Sequence, residues 1–478
     1  MQRTRMESLA RIYVNKLPGN GRALREAYKY MKLAKFKATA SARKRFSRRA
    51  VPDAENVYWI DPPRILMYTN VDAPTSREEA EKRLQQQTAS QDFHERVFDR
   101  DRDKGKIVDG DWDRSDLRFS DLEVYKALEA RINSGTEWQE TPFYRTISKR
   151  ICAGEVWHSC TSVADLDERC RYLDSLIDSI RCKGYRQNCD VTLPGERADA
   201  RIKHPYMSAE VLVNIGRNGE YLFQDGRHRL AIAQILGIEE IPVKVLVRHK
   251  RWQDLRDHLS LMVESSAGAS RRGVLYQSLM HPDLLDFTAT HSCEDRFEML
   301  QPFLENRSGA FLDVGSNLGY FCHKAEDMGF DCYAVELLPE VVWAATRIRD
   351  AEGKQFQIVE GDLMQVLDSD ALKGKAFDTV NVLNILHHSL RTEEQYNALL
   401  QWLSQLSVEQ MLLETHRTDE AHMVDVYANL QPEEFAQMIV DHSELTDYEF
   451  IGEVDDGRKM FRLFKSATDR KYKGDIHG

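Results

Sequence analysis

Over the last third of the chain, short apolar runs of strand length alternate with stretches of helical period. The runs are Ala310–Leu312, Cys332–Val335, Phe356–Val359, Phe377–Leu383 and Glu409–Thr415. Between them, Tyr320–Met328, Pro339–Asp350 and Glu393–Leu406 repeat their apolar positions every three to four residues. Two further runs, Asp447–Glu453 and Lys459–Lys465, flank Asp455-Asp456-Gly457 as a hairpin. The pattern predicts an α/β sandwich over residues 301–466, with five strands alternating with helices and an antiparallel edge.

A second patterned region spans 151–250. Leu166–Lys183 is amphipathic and stops at Gly184. Val211–Ile215 and Tyr221–Phe223 form a hairpin about Arg217-Asn218-Gly219. A helix over Leu230–Leu236 stops at Gly237, and Ile241–Val247 returns as a strand. This is a smaller α+β domain. Residues 51–150 are mixed, with short strands at Val57–Ile60 and Arg64–Met67, a polar stretch Thr75–Asp103, and helices at Ser120–Asn133 and Pro142–Ile151. The acidic run Asp109–Asp113 lacks the spacing of a calcium loop and reads as a structural turn. Residues 251–300 form a mostly helical connector, and 467–478 a tail.

At 478 residues, two or three domains are expected. There is no run of 18 or more apolar residues and no signal-peptide core, so the expectation is a cytoplasmic chain with reduced cysteines. Five of the eight cysteines (Cys152, Cys160, Cys170, Cys182, Cys189) lie near His158 at irregular spacing, which favours simple thiols over a zinc site, and no metal is expected. Charge is uneven: residues 1–50 carry +13 against −11 for the whole, so the rest carries −24. The basic stretch Arg22–Arg49 is helix-permissive. It is either a solvated or docked tail, or a contact for anionic membrane, nucleic acid or an acidic partner.

The most informative stretch is Phe311–Phe321, FLDVGSNLGYF. It carries an apolar strand into Asp313, then a turn with Gly315 and Gly319, then a helix. Such a turn presents backbone to a nucleotide-like ligand. Asn317 replaces the middle glycine that a pyrophosphate requires, which favours a ligand without one, such as S-adenosylmethionine. Glu336 lies 23 residues beyond Asp313, placed for ribose hydroxyls, and Asp362 follows the third strand, placed for an adenine amino group. Residues 301–466 thereby resemble class I S-adenosylmethionine-dependent methyltransferases, with a Rossmann-like seven-stranded sheet. The resemblance implies cofactor contacts from Asp313, Gly315, Asn317, Gly319, Glu336, Asp362 and Asn384. His387 and His388 follow the fourth strand at the carboxyl edge, and one of them is the expected base for a hydroxyl acceptor. Glu414 and His416 are second-choice acceptor contacts. Tyr276, His281, Asp295 and Arg296 are candidates to line the site.

In the smaller domain, Asp225, Gly226, Arg227, His228 and Arg229 form a turn at a helix start, where amides, dipole and guanidinium groups favour phosphate. The turn resembles that of ParB/sulfiredoxin-like folds, which implies binding of ATP or CTP. Arg227 stands where sulfiredoxins place a reactive cysteine, which argues against sulfinic-acid repair. The expected activity is O-methylation of a phosphate-bearing or glycan-type acceptor. One alternative is a bifunctional kinase-methyltransferase that adds a methyl phosphate cap; another is a nucleotide-sensing binding protein with an idle methyltransferase fold.

Overall fold

The computed structural model describes residues 56–69, 98, 103–114, 118–157, 160–186, 210–265, 270–271, 273–290 and 293–466. The basic segment 1–50, most of the polar stretch Thr75–Asp103, His158, Cys189 and the tail 467–478 lie outside the described residues. The chain divides into two compact units: residues 50–257 with 281–284, and residues 258–280 with 285 onward.

The N-terminal unit is built on strands β1 (Val57–Ile60), β2 (Met67–Tyr68), β3 (Lys106–Val108), β4 (Val211–Ile215), β5 (Tyr221–Asp225) and β6 (Ile241–His249), ordered β1-β6-β4-β5-β2, with β3 also on β6. Strands from 51–150 and from 151–250 therefore share one sheet. Helices α1 (Glu123–Ser134), α2 (Pro142–Cys152), α3 (Val163–Lys183) and α4 (Arg227–Ile235) accompany it. A capping box between Ser162 and Asp165 starts α3 three residues before the expected Leu166. The strand expected over Arg64–Met67 shrinks to β2, because Pro62 and Pro63 set up a 3₁₀ turn just before it. The acidic turn is structural. Arg217, at the β4–β5 hairpin, holds Asp113 Oδ1 at 2.6 Å and Asp111 Oδ1 at 2.8 Å, and this pairing outweighs burial to keep the Asp113 carboxyl below its ordinary range.

After α5 (Lys250–Ser265), the connector is only partly helical. A two-stranded ribbon of β7 (Ser270–Arg271) and β8 (Val274–Leu275) follows, with Gly273 at φ 84°, before α6 (Cys293–Leu304).

The C-terminal unit's sheet comprises β9 (Gly309–Val314), β10 (Phe330–Glu336), β11 (Gln357–Glu360), β12 (Ala376–Leu383), β13 (Ser407–Glu414), β14 (Asp447–Glu453) and β15 (Lys459–Phe464). Its order is β11-β10-β9-β12-β13-β15-β14, with β15 antiparallel to β13 and β14. Between the strands lie α7 (Tyr320–Asp327), α8 (Pro339–Ala351), α9 (Leu363–Val366), α10 (Glu393–Gln405) and α11 (Pro432–Asp441). The parallel strands are covered on both faces, which is why they read as continuous apolar runs. Alternation along β9 sends Leu312 and Val314 into the core shared with Phe377 and Trp402, and Phe311 into the opposite core with Phe321 and Phe330. Asp313 shares the face of Phe311. Among the described residues, no helix is long and apolar enough to cross a membrane.

Candidate functional site

The central strand β9 ends in a turn that departs sharply from extended backbone. Gly315, Asn317 and Gly319 have φ of 70°, 53° and 87°, a left-handed region that glycine enters freely and asparagine tolerates. Gly315 and Ser316 donate their amides to Val335 O on β10, both at 2.9 Å. A Cβ on Gly315 would lie 2.9 Å from Ile385 Cγ1, and one on Gly319 would lie 3.1 Å from Phe356 Cζ. Gly315 is therefore favoured by packing as well as by the backbone, whereas at Gly319 the backbone is the firmer reason and the space is merely tight.

Glu336 closes the turn from the end of β10. Its Oε2 accepts from Asn317 N at 3.0 Å, and its Oε1 accepts from Leu337 N and Leu338 N at 2.8 and 2.9 Å. Burial nevertheless raises its pKa. Asp362 is exposed and caps α9, its Oδ1 accepting from Met364 N at 3.0 Å. Asn384, after β12, also has a positive φ of 52°, and its Nδ2 donates to Tyr276 Oη at 2.8 Å.

These elements border a cleft lined by Tyr276, Gln277, Arg296, Asp313, Gly315, Asn384 and Glu414 among others. Of the expected cofactor contacts, Asp313, Gly315 and Asn384 line it directly. Glu336 grips the turn, and Asp362 follows the neighbouring strand. Three buried polar atoms around the turn, Ser316 Oγ, Asn317 Oδ1 and Asn384 Oδ1, have no hydrogen-bond partner. Unsatisfied groups next to a cleft are where a polar ligand gains most. The group that the resemblance implies, with its amines and hydroxyls, fits the unpartnered Asn384 Oδ1 that faces the cleft.

Asp313 is buried, with Oδ1 accepting from Asn381 Nδ2 at 2.8 Å, and burial pushes its carboxyl up to about 7. An acid whose folded pKa lies above its ordinary value favours the fold only while protonated. Its contribution is full below about 4 and is lost as pH rises towards 7. Asp313→Asn keeps the acceptor for Asn381 and removes the ionisation. The variant is expected to gain about 2 kcal/mol or more on the parent between pH 5 and pH 8 in urea unfolding. A difference that does not change with pH contradicts this.

Residues that sequence reasoning missed or ranked low form the cleft's other wall. Gln277 Oε1 accepts from Leu318 N and Tyr320 N at 3.2 and 3.4 Å, capping the start of α7. Arg296 and Glu414 form a buried two-point pair at 2.7 and 3.1 Å, and Arg458 Nη1 stands 3.8 Å from Glu414. Their separation in sequence by more than a hundred residues hides the pairing from any local pattern. His281 does not join this wall. It belongs to the N-terminal unit, with Nε2 2.9 Å from Gly219 O and its ring stacked on Tyr221.

His387 and His388 lie on a 3₁₀ turn, Leu386–Leu390, with ring centres 4.1 Å apart. His388 is exposed, whereas His387 is 4% exposed. Burial, with other imidazoles around it, pushes His387 down to about 2, so it is neutral at physiological pH and a weak proton acceptor. His416 and His422 complete the cluster, at 6.1 and 4.8 Å from His387.

In the N-terminal unit, Gly226 caps α4 at φ 95°, and Asp225 Oδ1 already accepts from the Gly226 amide at 2.7 Å. A Cβ on Gly226 would lie 3.1 Å from Val211 Cα. Asp225, Arg227, His228 and Arg229 are all half-buried, and Arg229 lies beside Tyr185. The turn thus gathers cations, but a carboxylate holds its first amide.

Residues 312–407 match a family model described as a methyltransferase domain. No curated protein matches the chain. Among solved structures, the bifunctional kinase-methyltransferase WbdD is 18% identical with a TM-score of 0.36, over 43% of this chain and 46% of that chain. Magnesium protoporphyrin IX methyltransferase (ChlM) from Synechocystis PCC 6803, solved with bound SAM, is 16% identical with a TM-score of 0.28, over 36% and 77%. N-methyltransferase NodS from Bradyrhizobium japonicum WM9 is 13% identical with a TM-score of 0.29, over 36% and 94%. The chain thus spans less than half the length of WbdD.

Proposed function

We propose that this chain is an S-adenosylmethionine-dependent methyltransferase that acts on the hydroxyl of a phosphate-bearing or glycan-type acceptor. One observation carries the cofactor assignment: the Gly315–Gly319 turn, clamped by Glu336, borders a cleft lined by Gly315 and by Asn384, whose buried Oδ1 has no hydrogen-bond partner. Gly315 would give a ligand close backbone approach, Asn384 would orient it, and Glu336 would hold the turn in place. The bound cofactor would supply an electrophilic methyl group. The chain's own residues bind, orient and shield. The test is mass spectrometry of products after incubation with S-adenosylmethionine and an extract of the producing cells. A species heavier by one methyl group names the acceptor class, whereas no methylated product in any fraction refutes methyl transfer.

A second reading concerns the N-terminal unit, whose cationic turn Arg227–Arg229 supports binding of ATP or CTP and, with it, a phosphate-capping or nucleotide-sensing role. Against it stands Asp225, whose carboxylate occupies the Gly226 amide. If the turn holds phosphate, Arg229→Ala should weaken ATP or CTP binding about tenfold or more, as expected for loss of a charge-assisted contact. Equal titration curves for parent and variant would remove this reading.

A further inference from the structure

Two loops at the carboxyl edge of the C-terminal sheet meet through buried imidazoles. The turn after β12 carries His387 and the loop after β13 carries His416, 4% and 1% exposed, with ring centres 6.1 Å apart. Among the described residues, His387 Nδ1 and both ring nitrogens of His416 have no hydrogen-bond partner. Asn429 lies beside His416, but its Nδ2 donates to Thr418 O and Met423 O at 3.0 and 3.3 Å. The two rings therefore act as packing groups, and only in their neutral form.

The loops are tied through the backbone as well. Asn384 N donates to Glu414 O at 3.2 Å, Ala428 N to Leu390 O at 3.1 Å and Tyr427 N to Arg391 O at 3.2 Å. Asn384 and Glu414 both line the cleft, so the packed imidazoles follow directly on its wall.

Most groups that face the pair are cations or become so on protonation. His388 and His422 stand 4.1 and 4.8 Å from His387 between ring centres, and Arg391 is close. Around His416 are His422, Arg458, Glu420 and, from α11, the Phe435 ring at 5.5 Å. Glu420 is held by Arg458 Nη2 at 2.7 Å, so its charge is already balanced. A proton on either ring would be buried and set among positive groups.

We propose that His387 and His416 form an acid-sensitive latch: while neutral they let the two loops pack and close this wall of the cleft, and on protonation they drive the loops apart. The latch is a property of the loops and does not depend on the methyltransferase reading. Burial lowers the pKa of both rings, that of His387 to about 2. Both folded values lie below the ordinary 6.5, so closure is fully favoured above 6.5 and progressively less as pH falls below it.

The test is hydrogen exchange of the whole chain, without added ligand, between pH 7.5 and pH 5. Protection factors are compared, so that the intrinsic pH dependence of exchange cancels. Below 6.5, each buried neutral ring shifts the balance between closed and open loops about tenfold per pH unit. Protection over residues 385–391 and 415–430 should therefore fall about thirtyfold or more by pH 5, while β9 and β10 keep theirs. His387→Leu and His416→Leu should each remove part of that fall, because leucine fills the space without titrating. Constant protection of both loops in the parent overturns the proposal. So does a fall shared equally by the whole sheet, or one that neither variant diminishes. If a variant does not fold, nuclear magnetic resonance of the parent decides: the two rings should take up protons in step with the loss of loop protection, and rings that titrate while protection stays constant overturn the latch.

Discussion

Gly315→Arg is expected to abolish the rise in melting temperature that S-adenosylmethionine gives the parent. The effect has two sources. At φ 70° any side chain is strained, by roughly 1–2 kcal/mol for an L-residue in the left-handed region. The larger source is space: the new Cβ would meet Ile385 Cγ1 at 2.9 Å, and the remaining atoms can extend only into the cleft that Gly315 lines. A ligand at one hundred times its dissociation constant stabilises by about 2.7 kcal/mol. The parent should show that gain and the variant none. Gly315→Ala, which adds the clash without filling the cleft, should retain weakened binding. An Arg variant that binds within tenfold of the parent would show that the cofactor does not pass this turn.

The second large effect concerns stability. Glu414→Ala leaves Arg296 and Arg458 buried, 8% and 4% exposed, without the carboxylate between them. Removing one partner of a buried ion pair costs about 3–5 kcal/mol, because the remaining charge is stranded. The double variant Arg296→Met/Glu414→Met removes both charges and fills similar volume, so it should recover most of the loss. Urea unfolding followed by fluorescence measures both. A Glu414→Ala midpoint equal to the parent's would show that the pair is open to water in solution.

Much of the C-terminal unit was legible in the sequence because its signals are local. Each buried parallel strand reads as an apolar run, and the hairpin turn declares itself in Asp455-Asp456-Gly457. The left-handed positions fall at Gly315, Asn317 and Gly319, residue types that enter that region most readily. Expected and observed strands differ only at their ends.

Other parts were not legible, for distinct physical reasons. Strand β1 is expected at Val57–Ile60, but β2 and β3 are only two and three residues long and pair with β5 and β6, far along the chain. A run that short carries almost no periodic signal. Gln277 caps α7 from more than forty residues away, and Arg296 reaches Glu414 across 118. The histidines show the same limit. His387 and His388 adjoin in sequence and look equivalent, yet the fold buries one and exposes the other.

Isothermal titration of S-adenosylmethionine into the intact protein tests the cofactor assignment most directly. One binding site per chain is expected, weakened at least tenfold by Glu336→Ala, which frees the Asn317, Leu337 and Leu338 amides and loosens the turn. Absence of binding to the parent protein, or equal affinity in the two proteins, would contradict it.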